Sequence, residues 1–426
     1  MKKVLPVVLV IALCFSFAAQ AADPLPRAKP EEVGMSSERL ALIGRAINSE
    51  IAAGQMPGAV LAVARRGKLV YFEAFGYRDK AAGDPMTTDA IFSVASMTKP
   101  MVAVGALQLY EQGRLLMDDP LAKYFPKFAD MQVAVLDAKR ENIVDRVPAV
   151  RKITIQDLFR HTSGLSYGTS GTTAAHKMYP LSSNVSSRTF TGAELMDRLS
   201  TLPLPYQPGT VWEYSLGLDA LGLVIESMTE QTLGQYLDEK VWKPLGMIDT
   251  GFIVPPSKAA RYAHALPNDP VTGQPLSGPP SPMEKTKFEC GGGCAVSTAG
   301  DYLRFAWMLV NKGQYGDVRI LGRKTVEYML SNQLNPDVKN QVGITSAIHA
   351  NYGFGLGVAV RQTAGIAVTS GSVGDFSWPG AYGTYWWGDP REQLAVVWMI
   401  SAPGVPGPRY KFQQMIRTFV NQAILD

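Results

Sequence analysis

The chain of 426 residues is poor in the side chains from which metal sites are built. It has three cysteines and four histidines, and the histidines lie far apart with no His-Glu-x-x-His motif. Zinc sites take three or four Cys, His or carboxylate ligands, so we expect no metal site. Acidic and basic residues nearly balance, 37 against 41, and Lys and Arg form no cluster. We therefore expect no nucleic-acid partner.

Long apolar segments are equally scarce, except at the N-terminus. Lysines at positions 2 and 3 precede an apolar run over residues 4–19, followed by a small-x-small sequence at 19–21. These are the three parts of a secretory signal peptide. We predict a signal peptide over residues 1–21 and an exported protein, periplasmic or secreted. Pro6 and the short run disfavour a spanning anchor, bulky Leu13 disfavours a lipoprotein anchor on Cys14, and no later run could anchor the mature chain.

Removal of that segment would leave two cysteines, Cys290 and Cys294, separated by three glycines. In an exported protein such a pair can close a disulfide across a flexible bend. Two buried free thiols beside a turn fit the pattern equally well, because a sequence does not show the Cα separation that a disulfide requires. Both interpretations stay open.

What the chain does have is the composition of a soluble globular protein, with 46% apolar and 18% charged residues. Periodicity predicts strands towards both ends and helices between them, so both ends should build one α/β sheet domain. The predicted helices are 36–53, 101–110, 155–160, 193–199, 216–237, 301–309 and 412–424; the predicted strands are 59–64, 69–75, 355–360, 382–386 and 394–400, with a surface loop over 255–281.

The first motif with chemical meaning is Ser96-Met97-Thr98-Lys99, at the start of an apolar helix. Residues three apart lie on one helix face, about one turn from each other. The N–H groups and positive dipole end of a helix start favour an oxyanion, and a lysine in surroundings that disfavour its ammonium form can deprotonate a serine. Alone, the motif also describes an N-capping serine and a solvated lysine.

A second serine lies in Gly164-Leu165-Ser166-Tyr167-Gly168, which matches a nucleophile elbow. An elbow needs a buried strand before it and a helix after it. Residues 155–160 predict a helix instead, and His349 is the only histidine near the C-terminus that could complete a Ser-His-Asp triad. We therefore predict that Ser166 is not a nucleophile.

Five segments in a fixed order give the chain a resemblance that none of them carries alone. They are Ser-Met-Thr-Lys at 96–99, His-Thr-Ser-Gly-Leu at 161–165, Pro-Gly with Tyr-Ser at 208–215, Pro-Leu-Gly-Met at 244–247 and Ser-Thr-Ala-Gly-Asp at 297–301. Together they resemble the serine β-lactamase-like superfamily in its class C branch, from about residue 40 to residue 419.

The resemblance implies a β-lactamase/penicillin-binding-protein-like fold, an antiparallel sheet flanked by helices with a helical second domain. Residues 22–90 and 290–426 would form the discontinuous α/β domain and residues 91–289 the mainly helical one, with the active site in the cleft between them. By the same resemblance Ser96 is the acylated nucleophile, Lys99 helps to deprotonate it and Tyr214 shuttles the proton. The backbone amides of Ser96 and Ala381 would hold the oxyanion, and no cofactor is implied.

Two departures from the superfamily pattern indicate one of its branches. Leu216 stands where the Tyr-x-Asn motif has its Asn, and Trp378-Pro379-Gly380 stands in place of the Lys-Thr-Gly motif. Both departures weaken recognition of a β-lactam or peptide carboxylate, and both are similar to the family VIII carboxylesterases. We expect Trp378 and Gly380, together with Tyr167 and Trp386, to line the substrate pocket.

Pro379 bears on the substrate as well. If residues 379 and 381 lie on a strand, their N–H positions point the same way, so the N–H that proline lacks would face the site together with Ala381. Peptides that pair along the strand edge would lose a hydrogen bond, whereas esters need only the oxyanion pair.

These residues predict a carboxylesterase that cleaves small-molecule esters of short to medium acyl chains through an acyl-enzyme. The alternative is a β-lactamase or D-amino-acid peptidase on the same scaffold, with a β-lactam or a cell-wall peptide as substrate. A non-catalytic binding protein is a third hypothesis, against which the intact Ser96, Lys99 and Tyr214 argue. The sequence carries no signal for an oligomeric state.

Overall fold

The computed structural model of the protein describes residues 23–276, 278–404 and 406–426. The predicted signal peptide lies outside these residues. No helix within them combines the length and the apolar character needed to cross a membrane.

Helices of the structure come from all parts of the chain. They are α1 (Ser37–Ala52), α2 (Thr98–Glu111), α3 (Ile155–Phe159), α4 (Ser183–Thr189), α5 (Gly192–Thr201), α6 (Gly217–Thr229), α7 (Leu233–Leu237), α8 (Lys243–Leu245), α9 (Ala299–Val310), α10 (Arg323–Met329), α11 (Val342–Thr345) and α12 (Pro406–Gln422).

Strands come mainly from the two ends. They are β1 (Gly58–Arg65), β2 (Lys68–Asp79), β3 (Asp84–Pro85), β4 (Phe92–Ser93), β5 (Gln132–Leu136), β6 (Ile143–Pro148), β7 (Val296–Ser297), β8 (Gln314–Tyr315), β9 (Val318–Arg319), β10 (Tyr352–Phe354), β11 (Ala359–Arg361), β12 (Phe376–Ser377), β13 (Tyr385–Asp389) and β14 (Leu394–Ile400).

One antiparallel sheet organises the molecule. Among the described residues its order is β10-β11-β12-β13-β14-β1-β2-β3, so the N-terminal hairpin pairs with the last strand, β14. The register sets Val60 beside Met399 and Val63 beside Val396. The sheet is therefore built from both ends of the chain, and the helical middle is inserted between them.

The strand β1 is buried along its whole length because helices cover both faces of the sheet. Alternate residues such as Leu61 and Val63 pack in one core with α1 and α12. Val60 and Ala62 belong to a second, larger core with α2 and α9. The fold is thus an antiparallel sheet flanked by helices, as predicted, and the second core joins the sheet to the helical middle.

Several predicted elements are confirmed, and others need correction. The predicted helix 216–237 is two helices, because Glu230 takes a left-handed φ of 57° and ends α6. The side chain of Thr232 then caps α7 by accepting the N–H of Gln235. A capping box of this kind interrupts a helix without disturbing the apolar periodicity on which the prediction rested.

The strand predicted at 355–360 is instead the turn that joins β10 to β11, around Gly357, followed by the first two residues of β11. The φ of Gly357 is +86°, and a Cβ there would lie 2.9 Å from the Cβ of Ala103 in α2. The strand predicted at 382–386 begins later, at Tyr385, because residues 381–384 form a turn. The predicted loop 255–281 contains a short 3-10 helix, Pro256–Arg261.

Candidate active site

Ser96 is the middle residue of a short 3-10 helix, Ala95–Met97, which leads directly into α2. Ala95 before it has a φ of +45°, a conformation uncommon outside glycine. The turn is held by Thr98, whose Oγ1 donates to Ala95 O at 2.6 Å and accepts the N–H of Ala295 at 3.0 Å. Ser96 is consequently presented at the start of a buried helix by a locally constrained backbone, while its own side chain stays partly exposed.

Lys99 lies one turn further on and is fully buried. Its Nζ is 3.5 Å from Ser96 Oγ and donates a hydrogen bond of 2.5 Å to Gly292 O. The same Nζ lies 4.3 Å from the centre of the Tyr214 ring. The structure therefore brings together the three residues for which catalytic roles were predicted.

A glycine loop behind Lys99 provides its main hydrogen-bond acceptor. Cys290 and Cys294, whose Cα atoms are 5.3 Å apart, are joined by a disulfide that closes this loop. Gly292 N–H donates to Asp219 Oδ1 at 2.9 Å. A Cβ on Gly292 would lie 2.3 Å from Asp219 Oδ2, so this close approach requires glycine.

Asp219, in the first turn of α6, is a buried carboxylate that faces the glycine loop. Burial raises its pKa, and the charge of Lys99 opposes that rise. Its Oδ2 accepts from Ser183 Oγ at 2.7 Å, and Tyr167 Oη lies 2.7 Å from the same Ser183 oxygen. Tyr167 thus belongs to the support behind Lys99 and is not among the residues that line the adjoining cavity. The prediction that Tyr167 lines the substrate pocket is wrong.

Tyr214 lies in the extended segment before α6, and its ring is surrounded by other rings. Trp378 Nε1–H donates to Tyr214 Oη at 3.3 Å. The His161 ring packs edge-on at 4.9 Å. Burial and the charge of Lys99 hold the pKa of His161 well below its usual range, and its Nδ1 lies 3.0 Å from Ser215 Oγ.

The segment 378–381 lies outside the sheet, which corrects one prediction. The strand β12 ends at Ser377, and Gly380 N–H donates to Thr384 O at 2.8 Å within the turn that leads to β13. The alternation argued for Pro379 and Ala381 therefore does not apply to them. A Cβ on Gly380 would lie 2.5 Å from Val94 O, so glycine allows this turn to lie against the chain just before Ser96.

A cavity of about 300 Å³ opens in front of Ser96. An aromatic wall, Trp212, Tyr214 and Trp378, provides its apolar surface. The full lining is Ser96, Thr169, Ser170, Trp212, Glu213, Tyr214, Gln341, Ile344, Thr345, Trp378, Pro379, Gly380, Ala381, Arg409, Tyr410 and Gln413.

Of the four residues predicted for the pocket, Trp378 and Gly380 line this cavity, and so does Ala381. Trp386 does not. Its ring is fully buried in the core, 5.4 Å from Tyr302 and 5.6 Å from Phe376. Trp386 lies within β13, on the face that packs against α9, and this placement explains the error.

Ser166 is held in a separate buried network. Its Oγ donates to Glu213 Oε1 at 2.5 Å, and His176 Nε2 lies 3.1 Å from the same oxygen and 3.0 Å from Oε2. The carboxylate lies between serine and histidine, so His176 makes no contact through which it could take the Ser166 proton. A helix, α3, precedes the motif instead of a strand.

Sequence reasoning missed three parts of the site: Gly292, Asp219 and the polar residues Gln341, Arg409 and Gln413 of the cavity. A signal existed for two of them. Asp219 is a charged residue in the apolar helix pattern of 216–225, and Gly292 is the centre of the Cys-Gly-Gly-Gly-Cys segment. The cavity glutamines and arginine belong to elements distant in sequence from Ser96 and gave no signal.

The sheet built from both ends, the helical insert and the Ser–Lys–Tyr cluster beside a cavity define a serine hydrolase of the β-lactamase fold. The chain belongs to the family described as Beta-lactamase, which matches residues 43–416.

Comparison with individual proteins agrees with this assignment. An uncharacterized protein of Mycobacterium tuberculosis is 36% identical over 357 residues, which cover 82% of this chain and 86% of that protein. Esterase EstB of Burkholderia gladioli is 31% identical over 367 residues, 83% of this chain and 88% of its own. The solved structure of EstCE1, described as a hydrolase with promiscuous acyltransferase activity, matches with a TM-score of 0.73 at 26% identity, over 90% of this chain and 98% of that one.

Proposed function

We propose that the protein is a carboxylesterase that hydrolyses small-molecule esters through an acyl-enzyme on Ser96. The observation that carries this proposal is the hydrogen bond from Trp378 to Tyr214 at the edge of the cavity. Trp378 occupies the position at which the superfamily pattern has the lysine of its Lys-Thr-Gly motif. The similarity to Esterase EstB supports the same choice.

The proposed reaction has two steps. Ser96 Oγ bonds to the ester carbonyl carbon while its proton passes to the Lys99–Tyr214 pair. The backbone amides of Ser96 and Ala381 stabilise the oxyanion, a contribution of about 3–4 kcal/mol for each such donor in other hydrolases. The bond to the alcohol oxygen breaks and the alcohol leaves with the transferred proton. Water then attacks the acyl-enzyme by the same route and releases the acid.

Export is proposed with the activity. It rests on the signal pattern at residues 1–21 and agrees with the disulfide between Cys290 and Cys294, since disulfides persist in oxidising compartments.

Kinetics with p-nitrophenyl esters of increasing acyl length, measured beside nitrocefin, test the activity. We expect kcat/KM to be higher for the short and medium esters than for nitrocefin. The Ser96→Ala variant should lose at least about a thousandfold in kcat/KM, as removal of a nucleophile does elsewhere. Ser49→Ala, on the exposed face of α1, is the matched control and should behave as wild type.

Two results would contradict the proposal. Higher kcat/KM for nitrocefin than for every ester would indicate the β-lactamase alternative. Ester hydrolysis by Ser96→Ala at the wild-type rate would show that Ser96 is not the nucleophile.

A further inference from the structure

His349 is a fully buried histidine that the proposed reaction does not use. It ends a short 3-10 helix, Ala347–His349, and its ring lies almost parallel to the ring of Trp378, with 4° between the planes and 5.3 Å between the centres. Parallel rings at this distance are offset, which is one of the preferred arrangements of aromatic pairs. His349 therefore covers part of one face of the residue that donates to Tyr214.

The other rings around Trp378 meet it at steep angles. Phe354, Trp212 and Tyr214 lie at 88°, 67° and 51° to its plane, with centres 5.2, 6.3 and 5.3 Å away. Among the described aromatic contacts of Trp378, the contact with His349 is therefore the only parallel one. In a close-packed interior, a parallel neighbour limits the tilt of a ring most directly. His349 is thus placed to fix the plane of the indole.

A hydrogen bond fixes the His349 ring in turn. Its Nε2 lies 2.8 Å from the Oγ of Ser377, the last residue of β12 and the neighbour of Trp378. Its Nδ1 is buried without a partner among the described residues. Because a buried N–H needs an acceptor, we assign the proton to Nε2, which then donates to Ser377. Burial, with the charges of Arg417 and Arg361, lowers the pKa of His349 to about 3, so the ring is neutral at neutral pH.

We propose that His349 is a positioning residue, which stacks on Trp378 and holds the indole N–H directed at Tyr214 Oη. An indole N–H can only donate, so it fills a lone pair of the Tyr214 oxygen and leaves the proton of that oxygen for the transfer from Ser96. This inference rests on the proposed function, because it assigns a support to that proton transfer. His349 is not among the residues that line the cavity, so it acts through Trp378 alone.

A double-mutant cycle with p-nitrophenyl butyrate as substrate tests the proposal. His349→Leu removes the stacked ring and the donor to Ser377, whereas Trp378→Phe keeps a ring at position 378 and removes its N–H. We expect each single variant to lower kcat about tenfold. The double variant should lose no more than the weaker of the two single variants, because residues that act through one another are not additive. In His349→Leu the change in KM should stay below about threefold.

Further variants separate positioning from a general loss of packing. His349→Phe keeps a ring that can stack and should retain more of the wild-type kcat than His349→Leu does. The matched control is Phe376→Leu, which removes a fully buried ring from β12 that packs against Trp386. It should lower the melting temperature and leave kcat per folded molecule unchanged. If His349→Leu does not fold, His349→Gln takes its place in the cycle, because its amide can still donate to Ser377 while the stacked ring is lost.

Three other outcomes would overturn the proposal, and they can be told apart. If the losses in kcat of the two single variants multiply in the double variant, His349 does not act through Trp378. If the variants at position 349 keep the wild-type kcat, the stacked ring is not needed, and the proposed esterase function stands. If wild type does not hydrolyse the ester at all, the proposed function fails and this inference fails with it.

Discussion

Two serines match nucleophile motifs, and their neighbours separate them. Ser96 has a buried lysine within 3.5 Å and a cavity in front of it. Ser166 is fully buried and donates to a carboxylate. A nucleophile needs a base that can take its proton and space for a substrate carbonyl. Only Ser96 meets both requirements among these two residues.

The variant Ser166→Ala tests this separation. We expect it to keep most of the wild-type kcat/KM toward a p-nitrophenyl ester. Because Glu213 loses one partner but keeps His176, the variant should lose about 1–3 kcal/mol in the free energy of unfolding. Activity per folded molecule and urea denaturation measure the two effects. Loss of activity as complete as in Ser96→Ala would restore Ser166 as a nucleophile.

The sequence was sufficient to find the residues around Ser96 but not their supports. Ser96, Lys99 and Tyr214 belong to short motifs whose order carries the resemblance. Trp378 and Gly380 line the cavity as predicted, whereas Tyr167 and Trp386 do not. All of these positions lie near motif residues in the chain. Which face of a strand or loop meets the cavity depends on packing against distant segments, which local sequence does not specify.

The element that links Lys99 to the rest of the fold is the loop 290–294. Its middle residue, Gly292, accepts from Lys99 and donates to Asp219, and its ends are joined by the disulfide. Asn184 of α4 also donates to Gly293 O at 3.4 Å and to Tyr382 Oη at 3.2 Å. Release of this loop should therefore displace the lysine more than the substrate cavity.

The double variant Cys290→Ser with Cys294→Ser tests the role of the loop. We expect kcat for a p-nitrophenyl ester to fall about tenfold or more, because a small misplacement of a catalytic group is costly. KM should change little, since neither cysteine lines the cavity. Steady-state kinetics separate the two constants.

A reducing agent supplies the control for this variant. It should lower kcat of wild type and have no further effect on the double variant. Wild type that keeps its full kcat after both thiols have been shown to be free would contradict the positioning role of the loop.

Elements were predicted well where the apolar period was long and ended at a strong cap. The strand β14 lies at its predicted bounds, and α1 (Ser37–Ala52) lies within one residue of the predicted helix 36–53 at each end. The errors lie where a helix or strand is interrupted. The capping box at Thr232 ends one helix and starts another, and the turn at Gly357 separates two strands, yet neither breaks the apolar pattern of the sequence. The register of β1 with β14, which joins residues more than 300 apart, has no local signal at all.

At the scale of the whole molecule, the last helix closes the fold. Asp375, beside β12, is fully buried and pairs with Arg361 of β11 and with Arg417 of α12. Arg417 also donates to Tyr385 Oη of β13 at 2.8 Å. The Asp375 carboxylate and the Arg417 guanidinium thus link α12 to β11 and β13. Further along α12, Arg409 and Gln413 line the cavity.

The variant Arg417→Met tests this closure. Removal of one partner from a buried ion pair leaves an undercompensated charge, so we expect the free energy of unfolding to fall by about 3 kcal/mol. Denaturation in urea measures it. Lys411→Met, on an exposed part of the same helix, should change stability by less than about 0.5 kcal/mol. Equal stabilities for the two variants would show that the Asp375 network does not hold the helix.

The proposed reaction depends on Ser96 acting as the nucleophile that becomes acylated. The most direct measurement is labelling with a fluorophosphonate probe, followed by digestion and mass spectrometry to locate the adduct. We expect one adduct, on Ser96, that is absent from Ser96→Ala and present in Ser166→Ala. An adduct on Ser166, or no labelling of the folded wild type, would contradict it.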